Sequence, residues 1–415
     1  MLFDRAEIGE SAVLVSVELD RFAAPDLDEL VELSKSAGLY VAQASLIKRD
    51  RAHAKWFIGK GKLDELRQAV KKENAGLLIF NNELSPGQQR NIEIEAECRV
   101  VTRTELILMI FADRARTHEG QLQVELAQLK HAQTRLVKGW THLDRQKGGI
   151  GFRGAGEKQV ELDKRMLSDR VKFHEKKLQQ IGKNRRQNRR LRHNNEAQTI
   201  ALVGYTNAGK SSLFNALSGA DALVEDKLFA TLDATVRRLE LAGVRESMLA
   251  DTVGFISELP HQLVEAFHST LEEVSGADLL LHVVDISDLN YEARIDQVKR
   301  VLGQIGADHI PEIVVYNKID LIENVGELDL ARQAGICISA KNNFGLDELK
   351  QAISSVIGVY SPYKFRLNPG DGATRAWLYR KSAVIEEKIR DDGCFNLTLR
   401  ADPSLIKELK KRTES

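Results

Sequence analysis

Gly204-Tyr205-Thr206-Asn207-Ala208-Gly209-Lys210-Ser211 has the residue types and spacing of a loop that wraps phosphate. Its setting is the required one. The apolar run Thr199-Ile200-Ala201-Leu202-Val203 precedes it, and the helical Ser212-Leu213-Phe214-Asn215-Ala216-Leu217 follows. Between strand and helix, backbone N–H groups and the helix N-terminus converge on negative charge. Lys210 is placed to reach the β- and γ-phosphates of a nucleoside triphosphate, and the Ser211 hydroxyl to ligate Mg²⁺.

A second motif selects the base. Asn317-Lys318-Ile319-Asp320 follows the apolar run Ile313-Val314-Val315-Tyr316. A carboxylate at Asp320 can accept from guanine N1–H and the 2-amino group together. Adenine offers neither donor and would leave the carboxylate unpaired. Asn317 is expected to support the loop and the base, and the Lys318 stem to cover the ring face. Ser339-Ala340-Lys341, after another apolar run, is expected to present a backbone N–H to the guanine oxygen.

Between these motifs lie two segments suited to sensing the γ-phosphate. In Asp251-Thr252-Val253-Gly254, Asp251 is expected to hold Mg²⁺ through water and the Gly254 N–H to touch the γ-phosphate. Phe229-Ala230-Thr231-Leu232-Asp233-Ala234-Thr235 carries the candidate switch threonine, Thr231, with Thr235 as the alternative. Lys210, Thr231 and Gly254 are thus the expected catalytic set, with Ser211 and Thr231 as metal ligands. Phe255 stands where many small GTPases place a water-orienting glutamine. A phenyl ring cannot hydrogen-bond water, so slow intrinsic hydrolysis is expected, with positioning supplied by a partner or another loop.

These motifs need a parallel sheet behind them, and residues 196–360 alternate strand and helix patterns accordingly. The chain has 415 residues, enough for several cores. Residues 1–110 also alternate, with strands expected at 13–17, 41–47, 77–80 and 99–101 and helices at 26–37, 62–72 and 86–97. That predicts a small N-terminal parallel α/β domain. Residues 361–415 predict a small α+β domain, with Asp391-Asp392-Gly393 as a hairpin turn.

Residues 111–195 differ. Leu122, Leu126, Leu129 and Leu136 form one seven-residue seam, and Leu167, Val171, His174, Leu178 and Ile181 another. Two such stretches predict an antiparallel helical hairpin, each helix about 20 residues and roughly 30 Å long. The break, Gly148 to Lys158, is glycine-rich and carries Phe152 and Arg153, a tip suited to phosphate and bases. The fold class predicted is therefore multidomain α/β: a P-loop GTPase domain with an N-terminal parallel domain, a helical arm and a C-terminal α+β domain.

Charge follows the same division. The chain is neutral overall, yet residues 111–195 hold 21 Lys+Arg against 9 Asp+Glu, densest at Lys183 to Arg192. One basic segment in a neutral chain implies a polyanion contact confined to that segment. Cys98, Cys337 and Cys394 are far apart, without metal-ligand spacing or a disulfide framework. With no apolar run of membrane-spanning length and no signal-like start, a cytoplasmic location is expected.

Gly59 and Gly61, in Phe57-Ile58-Gly59-Lys60-Gly61-Lys62, open a helix. A tight turn with solvated lysines is expected there, with a weak anion or ATP site as the alternative. His118 and Glu119 are expected to begin the arm helix.

The phosphate loop GYTNAGKS, the segment FATLDAT, DTVGF, NKID and SAK together resemble the HflX family of GTPases, within the Obg-like branch. Arg114 to Gly120, Leu122 to Ala127 and Gly151 to Glu157 resemble that family's helical-arm signatures. The resemblance covers roughly residues 10–360. It implies a ribosome-associated GTPase that binds the large subunit, directs its arm toward ribosomal RNA and splits or rescues stalled or idle ribosomes. Large-subunit assembly, or a non-ribosomal switch whose arm binds protein, are the alternatives. A monomer with Mg²⁺ as cofactor and no DNA partner is expected. Weak membrane association is not readable from the sequence.

Overall fold

The structure, a computed structural model, describes the chain except for residues 1–8, 20–25, 145–154, 195–196, 220–227, 230, 232–234, 242–243, 245, 258–267, 323–330, 358–361, 381–382, 391–392, 401–405, 407–408, 411 and 414–415.

The N-terminal sheet comprises β1 (Ser11–Leu19), β2 (Tyr40–Arg49), β3 (Leu77–Phe80) and β4 (Arg99–Thr102) in the order β2-β1-β3-β4, all parallel. Central parallel strands are covered on both faces and so are apolar throughout. Leu14 and Ile79 face one core with α1 (Leu27–Ser36) and α4 (Arg103–Arg114). Val15 and Phe80 face the other with α2 (Lys60–Lys72) and α3 (Pro86–Ala96). The Asp26 carboxylate caps α1, and reciprocal capping boxes start α3 (Ser85 with Gln88) and α4 (Thr102 with Glu105).

The arm is α5 (His118–Asp144) against α6 (Ala155–Asn194). His118 begins α5, as expected. Leu126 and Leu129 pack with Val171, Leu167 and Leu178, so the two seams do meet. The helices are longer than expected, 27 and 40 residues. Side chains such as Lys130 and Glu175, 3.2 Å apart, supplement a narrow apolar stripe. The expected tip lies outside the described residues apart from 155–158, which begin α6.

The third unit has a six-stranded sheet: β5 (Gln198–Gly204), β6 (Thr235–Leu239), β7 (Ser247–Asp251), β8 (Leu279–Asp285), β9 (Glu312–Asn317) and β10 (Ile336–Cys337). The order is β10-β9-β8-β5-β7-β6, parallel except for β6. Helices α7 (Lys210–Ser218), α8 (His268–Ser275), α9 (Tyr291–Gln304) and α10 (Leu346–Ile357) accompany it. The C-terminal unit is an antiparallel sheet, β11 (Pro362–Leu367), β13 (Phe395–Arg400) and β12 (Val384–Ile389), with α11 (Gly372–Arg380). Gly393 adopts φ +79° at the hairpin turn before β13.

The first and third units share a core. Tyr205, Leu228, Phe229, Val253 and Ile256 pack into the same cluster as Leu30, Leu33 and Phe111 of the N-terminal unit. The rings of Phe111 and Phe229 meet edge to face, with centroids 4.6 Å apart. Among the described residues no helix is long and apolar enough to cross a membrane.

Candidate guanine-nucleotide site

The phosphate loop leaves β5 at Gly204 and enters α7 at Lys210. Gly209 makes the turn with φ +90°, and a Cβ there would lie 2.2 Å from Asn317 Nδ2. Only glycine fits, because the base-binding loop sits directly on the phosphate loop. Asn317 ties the two together: its Nδ2 donates to Ala208 O at 2.9 Å, and its Oδ1 accepts from Ala340 N at 3.0 Å.

Lys210 Nζ donates to Gly204 O at 3.1 Å and to Tyr205 O at 2.6 Å, filling the loop's hollow. Burial pulls its pKa down to about 8, against the opposing pull of Asp251. A triphosphate would compete with these carbonyls for the ammonium and raise its pKa again.

Ser211 Oγ, Thr231 Oγ1 and Asp251 Oδ2 lie within 2.8–2.9 Å of one another. Burial raises the Asp251 pKa, while Lys210 and the two hydroxyls lower it. Asp251 Oδ1 is buried and finds no partner among the described residues. A buried carboxylate oxygen without a partner, beside two hydroxyls, fits a hard oxygen-seeking cation such as Mg²⁺. Thr235 instead begins β6, exposed and paired in register with Asp251. Phe229 is described, at φ +57°. Ala230, Leu232 and Asp233 lie outside the described residues.

Switch and phosphate loops are zipped together. Phe255 N donates to Gly204 O at 3.1 Å, and Thr206 N to Phe255 O at 2.7 Å. Thr252 is anchored by its hydroxyl on Leu202 O at 2.6 Å. Val253 is buried in the interdomain core. The Phe255 ring is turned into the core with Val203, Leu271 and Val274.

At the base end, Asp320 Oδ1 accepts from Ser339 Oγ at 2.6 Å, and Ser339 Oγ accepts from Asn342 N at 3.2 Å. Ile319 N donates to Ile338 O at 3.3 Å, closing this loop against Ser339-Ala340-Lys341. Lys318 adopts φ +67°, and its ammonium pairs with Asp285 at 2.6 Å. The spacing of motifs had not singled out Asp285. Its signal was position, a carboxylate at the end of a strand that neighbours β9.

A buried polar cluster on Tyr205 was also missed. The Tyr205 hydroxyl donates to Glu29 and accepts from Ser257 N at 2.7 Å. Arg103 bridges Glu29 at 2.7 Å, Asn81 at 3.0 Å and Ser257 O at 3.1 Å. Arg294 lies over the Tyr205 ring at 4.1 Å and pairs with Asp26 at 3.0 Å. The phosphate loop, the segment after Gly254 and the N-terminal domain are therefore wired to one another.

Residues 24–112 match the family model described as GTP-binding GTPase N-terminal, and 114–192 match GTP-binding GTPase Middle Region. Residues 199–318 match the model described as 50S ribosome-binding GTPase. The GTPase HflX of Escherichia coli (strain K12) is 45% identical over 96% of this chain and 95% of its own. That of Caldanaerobacter subterraneus is 47% identical over 92% and 89%. Among solved structures, a GTP-binding protein from Sulfolobus solfataricus in complex with GDP aligns at 26% identity with TM-score 0.46, over 84% of this chain and 98% of that one. The full-length relatives, the three consecutive family models and the P-loop fold agree: this chain belongs to the HflX family of GTPases.

Proposed function

We propose that this GTPase binds the large ribosomal subunit and splits or rescues stalled or idle ribosomes, the nucleotide state controlling how the arm engages ribosomal RNA. One observation carries this. A G domain matching a 50S ribosome-binding GTPase is joined to a paired-helix arm whose segment, 111–195, holds 21 Lys+Arg against 9 Asp+Glu. Lysine and arginine at that density suit a phosphate backbone.

The units proposed are residues 1–110, 111–195, 196–360 and 361–415. In the site, Gly204 to Ser211 cradle the phosphates, Asn317 to Asp320 with Ser339 to Lys341 hold guanine, and Ser211 and Thr231 hold Mg²⁺. Asp251 would hold the metal through water. Bound there, Mg²⁺ would supply neutralisation of the charge on the β- and γ-phosphates. Phe255 leaves intrinsic hydrolysis slow. The protein acts as a cytoplasmic monomer.

The test is sedimentation of 70S ribosomes with the protein and GTP, a non-hydrolysable analogue or GDP. Splitting yields free subunits with the GTP forms and not with GDP. Ribosomes that stay joined while precursor particles bind favour an assembly role. Binding that ignores both ribosomes and salt favours a protein-binding arm.

A further inference from the structure

The Phe255 ring is only 2% exposed, and its backbone is hydrogen-bonded to the phosphate loop in both directions. It cannot turn toward a water on the γ-phosphate without dismantling that zipper. Another group must do the positioning.

Hydroxyls on the two loops, 204–211 and 251–257, are nearly all committed. Tyr205 serves Glu29, Ser211 serves Asp251, Thr252 serves Leu202 and Ser257 serves Gln297. Thr206 differs. Its residue is 6% exposed, and its Oγ1 is buried with no partner among the described residues. A buried orphan hydroxyl costs stability, and a threonine-shaped apolar residue would avoid that cost. Its position suggests why the hydroxyl is there. A Cβ built on Gly254 would lie 2.8 Å from the Thr206 methyl and 3.0 Å from Lys210 Nζ. Thr206 and Lys210 thus flank the same glycine, at the end of the loop where a γ-phosphate would sit.

We propose that the Thr206 hydroxyl orients the attacking water, in place of the glutamine that Phe255 displaces. The assignment rests on the GTPase reading of this site. Gly254 stands against the Thr206 methyl, and the hydroxyl is buried beside it. With the Gly254 amide turned to the γ-phosphate, the methyl loses its contact, the Thr206 side chain can rotate, and Oγ1 accepts a hydrogen bond from the water. The water oxygen then bonds to the γ-phosphorus, and the bond from phosphorus to the β–γ bridging oxygen breaks. The electron pair leaves with GDP, and the water's proton passes to a phosphoryl oxygen. Thr206 itself is unchanged.

The experiment compares Thr206→Val and Thr206→Ser with wild type in single-turnover hydrolysis at saturating GTP and Mg²⁺. Affinity for a fluorescent GTP analogue and the thermal midpoint are read alongside. Valine keeps the shape and removes the hydroxyl. It should slow hydrolysis about tenfold or more, with affinity within about threefold and a midpoint equal to or above wild type. Serine should stay within about threefold of the wild-type rate. Thr206→Val hydrolysing at the wild-type rate overturns the assignment, as does serine being as slow as valine. A wild type that binds GTP but never cleaves it overturns the GTPase reading instead, and this assignment with it.

Discussion

The phenol of Tyr205, one residue into the phosphate loop, donates a hydrogen bond to the carboxylate of Glu29, which belongs to the other domain. Ser257 N approaches the same phenol oxygen at 2.7 Å. The ring therefore reports both on the loop that would hold the nucleotide and on the segment that follows Gly254.

Tyr205→Phe removes this junction. It removes the phenol hydroxyl from between Glu29 and Ser257 and leaves the Ser257 amide only its long 3.4 Å bond to Glu29 Oε1, a loss of about 1–3 kcal/mol. The hydroxyl faces the N-terminal domain, so affinity for guanine nucleotide should be nearly unchanged. The expected result is faster proteolysis of the joint between the two domains and a lower thermal midpoint. A midpoint equal to wild type would remove the junction from the account.

Lys210→Ala empties the hollow of the phosphate loop. Affinity for GTP should fall by about 100-fold or more, roughly 2.7 kcal/mol. Titration with a fluorescent analogue measures it, and near-normal affinity would contradict the assignment of the loop.

Asp320→Asn exchanges an acceptor pair for one acceptor and one donor. Guanine should lose about tenfold or more, while xanthine, with a carbonyl at position 2, should gain. Competition between the two diphosphates reads this directly. An unchanged order of preference would show that some other group selects the base.

His131 lies on α5 and is 5% exposed. Burial, assisted by the nearby Arg135 charge, pulls its pKa down to about 4. Unfolded chain binds that proton near pH 6.5. The folded state is thus penalised as pH falls from about 6.5 toward 4, by something on the order of 3 kcal/mol. His131→Gln should flatten the acid side of the stability curve measured by chemical denaturation. Parallel curves for the two proteins would refute the burial argument.

Much of this was legible from sequence, for physical reasons that vary by element. β3 and the phosphate loop announce themselves, since a short apolar run bounded by turn residues has few other structures available. The seams of α5 and α6 were visible because an arm with one buried stripe keeps its period. Helix α4 was not. It is buried at Arg103 to Leu108, Ile110 and Phe111, so no polar face marks a period, although Thr102 and Glu105 form a capping box. The Glu29–Tyr205 bond spans 176 residues, and local spacing carries no trace of it. The same holds for Asp285, whose partner Lys318 arrives only when β8 and β9 pair.

Leu228 and Phe229 bury their side chains in the N-terminal core, and Leu228 N donates to Ser36 Oγ at 2.9 Å. Residue 231 lies two positions beyond this anchored stretch. Its movement toward or away from a metal must be drawn against hydrocarbon contributed by a separate folding unit. The nucleotide pocket is consequently tensioned from outside itself, so that a cavity cut at Phe111, far from any phosphate, should register as an altered dwell time for GDP.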